Sequence, residues 1–437
     1  MAKKPRNQAG LLFYKYNTIS ESKKSSIFVF IDRLSGYKRI KIDFLFLKMM
    51  KLLRKVLFAA MILSFGVNSW AQDTYNAINT VVPFLSIAPD SRGGSMGDAG
   101  VATSPDVYSI YWNNAKYAFI DSKYGVGLAY TPWLRNLVND ISIANLFGYY
   151  KIDNNQVVSG GLTYSSLGDI DFTTDAGEYQ TTYKPNEWAL TAGYSRLFSD
   201  HFSGSVAFKF IYSNLTGGYS STSTDSKPGT SVAADIAGYY VNDAALFGVP
   251  GEYALGFNIA NIGSKMSYSE SQNADFIPMN MKIGGSYTFF FDAYNKLTAT
   301  MDINKLLVPT PPEYSATNPD SIVAGKNPNI AVPVAIFRSF FDAPGGFSEE
   351  LRELAFSFGA EYWYNNLFAL RTGYFYENKT KGNRRYLTAG VGLRLSGFGL
   401  DFSYLVPVGQ NNSPLANTLR FSLNFDSDSF RSVKSEG

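Results

Sequence analysis

The chain has 437 residues, with Phe 34, Tyr 30, Gly 38 and no cysteine; charged residues make up 17% and the formal net charge is +3. Without cysteine there is no disulfide framework and no thiolate-ligated metal site, and so few charges are low for a soluble domain of this size. Fourteen of the 39 Lys and Arg but only three of the 36 Asp and Glu precede Gln72, so the remainder carries −8, which argues against nucleic acid as a partner.

Residues 1–48 read as a non-native N-terminal extension, with translation starting at Met49 or Met50. Lys51, Arg54 and Lys55 then precede an apolar run of 12 residues, Val56 to Val67, too short to cross a bilayer. Ser69-Trp70-Ala71 places small residues three and one before a cut, so residues 49–71 read as a signal peptide cleaved after Ala71. No later stretch approaches about 18 consecutive apolar residues. An exported chain with no helical anchor is either a secreted soluble protein or a barrel in the outer membrane.

Residues 72–120 form a non-barrel segment. Its Gly93-Gly94-Ser95-Met96-Gly97-Asp98-Ala99-Gly100 is glycine-rich like a phosphate loop, but no Lys-Ser/Thr follows and no βαβ pattern surrounds it. A tight backbone path with positive φ is the plainer reading.

From residue 121 the pattern changes to short segments alternating apolar with small or polar residues. Fourteen are expected, at 123–132, 140–151, 156–167, 187–197, 202–214, 231–241, 252–262, 280–290, 295–304, 354–364, 367–376, 386–395, 398–406 and 418–425. In 187–197, Trp188, Leu190, Ala192 and Tyr194 oppose Glu187, Thr191, Gly193 and Ser195. In 418–425, Leu419, Phe421, Leu423 and Phe425 oppose Arg420, Ser422 and Asn424. A strand sends these two sets to opposite faces. In a closed barrel the apolar face meets lipid and the polar face lines the lumen. The expected fold is an all-β transmembrane antiparallel barrel of about 14 strands over residues 121–425, with a C-terminal tail from 426 to 437.

The links agree with this. Those after even-numbered segments are short and rich in Asn, Asp, Ser and Gly, except the link around 242–251. Those after odd-numbered segments are long, above all 305–353. Barrels of this kind keep short turns in the periplasm and long loops outside. A secreted sandwich or propeller would need polar outer faces, and no blade-length repeat is present.

Catalytic signals are poor. The lone His201 falls in a short turn with no nucleophile placed beside it, and the acids are scattered. No metal or cofactor site is expected. Glu187, Asp302, Glu361 and Arg371 fall on the inward parity, positioned for lumen hydrogen bonds. In the long loop, Ile336, Phe337, Phe340 and Phe341 have one-face helical spacing, and Ser348 before Glu350-Leu351 is placed to start a short helix. A loop this long with clustered Phe reads as a docking surface, a cap on the barrel mouth, or both.

Three stretches carry a family resemblance. Pro83-Phe84-Leu85-Ser86-Ile87-Ala88-Pro89-Asp90-Ser91-Arg92-Gly93-Gly94-Ser95-Met96-Gly97-Asp98-Ala99-Gly100-Val101-Ala102-Thr103 resembles the N-terminal signature of the PorV family, outer-membrane barrels of the type IX secretion system of Bacteroidota. Asp106 to Phe119 continues it, and so does Phe341-Asp342-Ala343-Pro344-Gly345-Gly346-Phe347-Ser348-Glu349-Glu350-Leu351. That family is similar to the FadL group of fatty-acid transporters, whose pre-barrel segment folds into the lumen as a hatch. The resemblance implies a hatch motif of Arg92, Gly94, Gly97, Gly100, Asp106, Trp112 and Asn113. It implies a partner-docking loop containing Ile336, Phe337, Phe340, Phe341, Asp342, Pro344, Gly345, Gly346 and Phe347. Where the FadL group often has Asn-Pro-Ala, this chain has Asn113-Asn114-Ala115, which leaves the backbone less fixed.

The implied role is non-enzymatic and needs no cofactor. Cargo with a C-terminal domain would be received at an SprA-like translocon and passed to a PorU-like attachment complex with PorQ and PorZ, within a surround of membrane lipid and lipopolysaccharide. Two rival readings are a FadL-like transporter of hydrophobic small molecules and an enzyme acting on lipopolysaccharide. The single turn-borne histidine disfavours the second of these.

Overall fold

The structure is a computed structural model that describes residues 75–135, 138, 140–173, 176–215, 217, 226–269, 274–318, 320–409 and 414–427. The expected N-terminal extension, the signal peptide and nearly all of the C-terminal tail lie outside the described residues.

Fourteen strands close into one antiparallel barrel. They are β1 (Tyr124–Pro132), β2 (Ile141–Lys151), β3 (Gln156–Leu167), β4 (Asn186–Ser199), β5 (Phe202–Asn214), β6 (Gly229–Leu246), β7 (Val249–Gly263), β8 (Asn280–Phe290), β9 (Asn295–Leu306), β10 (Ala355–Tyr364), β11 (Phe368–Tyr376), β12 (Arg385–Leu395), β13 (Phe398–Pro407) and β14 (Leu419–Asp426). Each pairs with its neighbours in the chain, and β1 pairs with β14, setting Leu128 opposite Leu423. With no free edge, every spanning backbone group in the ladder finds a partner inside the wall.

The alternation decides which way each strand faces. In β14, Arg420, Ser422 and Asn424 are buried inward while Phe421 and Leu423 are exposed outward. At the short-turn end the exposed aromatics Tyr124, Tyr150, Phe198, Phe247, Tyr294 and Phe398 form a girdle of the kind that sits at a bilayer interface.

One expected link is corrected. The connection around 242–251 is no longer than the others, because β6 and β7 run on to Phe247 and Gly248, whose φ values are 56° and 79°. Two consecutive positive φ angles make the type I′ hairpin that suits strand twist. The alternation fades there because neither parity is buried between Val241 and Pro250. Periodicity survives only where the two faces of a strand meet different surroundings.

The segment before β1 threads among the inward side chains. At the long-loop end the Asn76 amide donates to the Thr380 carbonyl (2.9 Å) and the Val81 amide to the Phe276 carbonyl (3.1 Å). Midway, the Ser91 amide donates to Ser422 Oγ (2.8 Å), and the Gly100 and Val101 amides donate to Asp302 Oδ2 (2.7 and 2.9 Å). At the short-turn end Lys151 Nζ donates to the Ile120 carbonyl (2.8 Å). Its outer stretch packs Val82 and Phe84 against Met266, Ile277, Met279 and Leu307, an apolar core at the outer end of the barrel.

Candidate functional site

The expected hatch residues converge in the lumen. Arg92 grips Glu361 with two parallel bonds, Nε to Oε2 (2.9 Å) and Nη2 to Oε1 (2.8 Å), and holds Asp106 through Nη1 (2.8 Å). Glu361 Oε2 also accepts from Arg371 Nε (2.6 Å), directly across the β10–β11 ladder. Arg371 Nη1 reaches Asp401 Oδ1 (2.7 Å), and Arg394 grips the same carboxylate through both terminal nitrogens (3.0 and 2.8 Å). The result is an alternating chain, Asp106–Arg92–Glu361–Arg371–Asp401–Arg394, that ties the threaded segment to four strands of the wall, β10 to β13. The Trp363 ring lies 5.4 Å from both Arg371 and Arg394.

Trp112 is the second fixed point. Its Nε1 donates to Asp90 Oδ1 (2.6 Å), while Asp90 Oδ2 accepts from the Gly93 amide (2.8 Å). A Cβ on Gly93 or on Gly100 would stand 2.3 Å from the indole ring. Gly97 has φ +69° and lies against the Tyr374 backbone, where no side chain fits. Overpacking of this kind typically costs about 1–3 kcal/mol. Gly93→Ala and Gly100→Ala are each expected to lower the midpoint of barrel heat-modifiability on semi-native gels; an unshifted midpoint in both would remove the indole slot as a packing constraint.

Asn113 does what a following proline would otherwise do. Its Oδ1 accepts from the Ala115 amide (3.0 Å), and its Nδ2 donates to the Val101 and Gly238 carbonyls (2.9 Å each). Asn114 Oδ1 accepts from Ser159 Oγ (2.7 Å). Side-chain bonds thus fix the turn that the missing ring leaves free. Close by, the Tyr108 hydroxyl lies within hydrogen-bond reach of the Leu128 carbonyl on β1 (3.0 Å) and the Leu423 carbonyl on β14 (2.9 Å). It straddles the junction of the first and last strands.

The long loop is built on acids. Glu350 Oε1 accepts from the Asp342 and Ala343 amides (2.8 and 2.9 Å), and Glu350 Oε2 from Lys305 Nζ (3.1 Å). Glu353 receives Lys305 Nζ (2.5 Å), Thr310 Oγ1 (2.6 Å) and Lys381 Nζ (3.1 Å). Asp342 is buried beside this cluster. Burial, with Glu350 and Glu353 nearby, pushes its carboxyl up to about 6. Pro344, Gly345 and Gly346 make the turn into the helix Phe347–Arg352; Gly345 donates to Glu349 Oε2 (2.6 Å) and Gly346 has φ +65°.

The expected single apolar face is corrected. The helix Val332–Arg338 ends before Phe340 and Phe341, so the four residues divide into two pairs four apart. Ile336 and Phe340 pack inward on the outer apolar core; Phe337 and Phe341 are 76% and 72% exposed. Exposed Val334, Phe347 (75%) and Leu351 extend this outward apolar set. The second helix begins at Phe347, and Ser348 Oγ donates to the Gly345 carbonyl rather than capping it (3.2 Å).

Asp90, Lys116, Asp401, Lys305 and Glu353 were missed in the sequence. Lys116 is buried with Nζ donating to the Gly100 carbonyl (2.8 Å) and Thr103 Oγ1 (3.2 Å). Asp401 had a readable signal, an acid at an inward position between Leu400 and Phe402. The other four depend on where the threaded segment and the loop travel.

No curated protein matches the chain. Among solved structures it is similar to the CymD monoaromatic hydrocarbon channel (11% identity, 78% of this chain and 98% of that one, TM-score 0.45). It is similar also to the P. putida toluene transporter TodX (10%, 82% and 99%, 0.43) and to a Pseudomonas aeruginosa FadL homologue (11%, 81% and 100%, 0.40). Residues 70–313, more than half the chain, match the family described as Type IX secretion system protein PorV. With a closed fourteen-strand barrel and that match in hand, the chain belongs to the PorV family, outer-membrane β-barrel components of the type IX secretion system.

Proposed function

We propose that this barrel is a non-enzymatic, membrane-held adaptor. It binds cargo bearing the C-terminal domain at an SprA-like translocon and carries it to a PorU-like attachment complex with PorQ and PorZ. The observation that supports this reading best is the exposed apolar surface of Val334, Phe337 and Phe341, held on an ion-paired loop above a lumen threaded by the chain itself. Such a barrel grips partners at its outer end rather than passing them through. Exposed aromatic clusters on a rigid mount are the usual anchors of protein interfaces.

The rival reading, a transporter of hydrophobic small molecules, needs an apolar cavity of adequate size. An apolar void of about 150 Å³ is what benzene needs. Among the described residues, the cavity beside Phe84, Ile110 and Phe147 measures about 30 Å³. The one beside Tyr111 and Trp112 measures about 110 Å³ and is lined by Asp98, Lys282, Glu377 and Arg384. A larger one at the short-turn end, about 930 Å³, is lined by Arg92, Asp106, Glu252, Lys296, Arg394 and Asp426. An apolar hollow of about 460 Å³ lies among the outward-facing Leu128, Leu393, Leu400 and Leu423, on the lipid side of the wall. Of these lumen cavities none is both apolar and large enough for a hydrocarbon. Deletion in the native host is expected to leave C-terminal-domain cargo in the periplasm or unattached. Normal secretion in the deletion strain, with loss of uptake of an apolar nutrient, would reverse the two readings.

A further inference from the structure

The segment before β1 enters the barrel from an unexpected side. β1 starts and β14 ends at the short-turn end, where Asn365, Asn366 and Leu367 or Ser396 and Gly397 suffice to reverse the chain. Tyr75 and Asn76 stand at the opposite end. Besides its backbone bond to Thr380, Asn76 donates through Nδ2 to the Pro311 carbonyl (3.1 Å) and to Glu349 Oε1 (3.0 Å). Lys381 Nζ meets the same Glu349 oxygen (2.6 Å). All four partners belong to long links between strands. The chain then descends through the Ser422, Asp302 and Ser203 levels to Ile120 before it becomes wall.

We propose that the amino end of the mature protein is displayed on the cell surface, as part of the same outer face that carries the docking loop. The polarity follows from the turns. Short hairpins face the periplasm and long loops face outward, and Tyr75 sits among the loops with a 66% exposed side chain. The amino end is also tied to that face chemically, since Glu349 links Asn76 to the helix that presents Phe347 and Leu351. A partner covering the Phe surface therefore meets the amino end as well. The inference rests on the barrel's orientation in the outer membrane and on cleavage after Ala71, not on the identity of the cargo.

The absence of cysteine makes the test direct. Single cysteines are introduced as Tyr75→Cys, Lys326→Cys in the longest loop and Asn154→Cys in a short turn, and intact cells are treated with a membrane-impermeant maleimide. Tyr75→Cys and Lys326→Cys are expected to label to the same extent, with Asn154→Cys labelled only after the outer membrane is permeabilised. If Tyr75→Cys follows Asn154→Cys while Lys326→Cys still labels, the amino end is not outside and the inference falls alone. If Asn154→Cys labels on intact cells and Lys326→Cys does not, the barrel is inverted, and the outer docking surface falls with it.

Discussion

Phe337→Ser combined with Phe341→Ser is expected to remove the proposed translocon and cargo partners from affinity-purified protein while the barrel stays heat-modifiable. Each ring is about three-quarters exposed, so neither holds the fold together. Burying one such side chain on association is worth about 1.5–3 kcal/mol. Losing two that share one face is expected to weaken binding at least about 100-fold, enough to empty a pull-down at ordinary protein concentrations. The control is Ile336→Ser with Phe340→Ser. Those side chains pack on the outer apolar core, and their loss is expected to loosen the loop and lower the unfolding midpoint as well as binding. Undiminished co-purification of both partners with the Phe337/Phe341 variant would remove this surface from the docking site.

Glu361→Ala is expected to cost the barrel about 3–5 kcal/mol, the usual penalty for removing one member of a buried ion pair. Among the described residues, Glu361 is the only carboxylate that bonds both Arg92 and Arg371. Its loss leaves Arg92 holding the threaded segment to Asp106, itself part of that segment, so the ionic tie to β10 is gone and, among the described residues, only the weaker bond from Ser357 Oγ to the Asp98 carbonyl (3.3 Å) joins them. Two outcomes follow, a lower midpoint of heat-modifiability and a lumen that admits ions. Conductance in planar bilayers reads the second, and entry of a large antibiotic reads it in cells. Lys184→Ala removes the exposed pair with Asp169, where both side chains are more than half exposed, and is expected to change neither. A closed, fully stable Glu361→Ala barrel would show that the ionic chain does not hold the segment.

The strand map was legible because a barrel wall in lipid enforces a period of two along every strand. Arg420, Ser422 and Asn424 against Phe421 and Leu423 state it plainly. Where both faces meet the same surroundings, as between Val241 and Pro250, the period vanished and the turn at Phe247–Gly248 went unread. Glu361 and Arg371 were readable as inward charges, since parity alone sends them to the lumen. Their link to Arg92 was not, because it joins positions 269 residues apart through a path set by the whole barrel. The Phe cluster shows another limit. Helical spacing groups Ile336, Phe337, Phe340 and Phe341, but the helix stops at Arg338, and which pair turns inward depends on the core built by Val82, Phe84 and Leu307.

The hydroxyl of Tyr108, set against the carbonyls of Leu128 and Leu423, bears on the joint where the wall closes on itself. At that joint one side chain from inside the cylinder touches both of the strands that meet, so the seam is braced from within as well as stitched along its ladder.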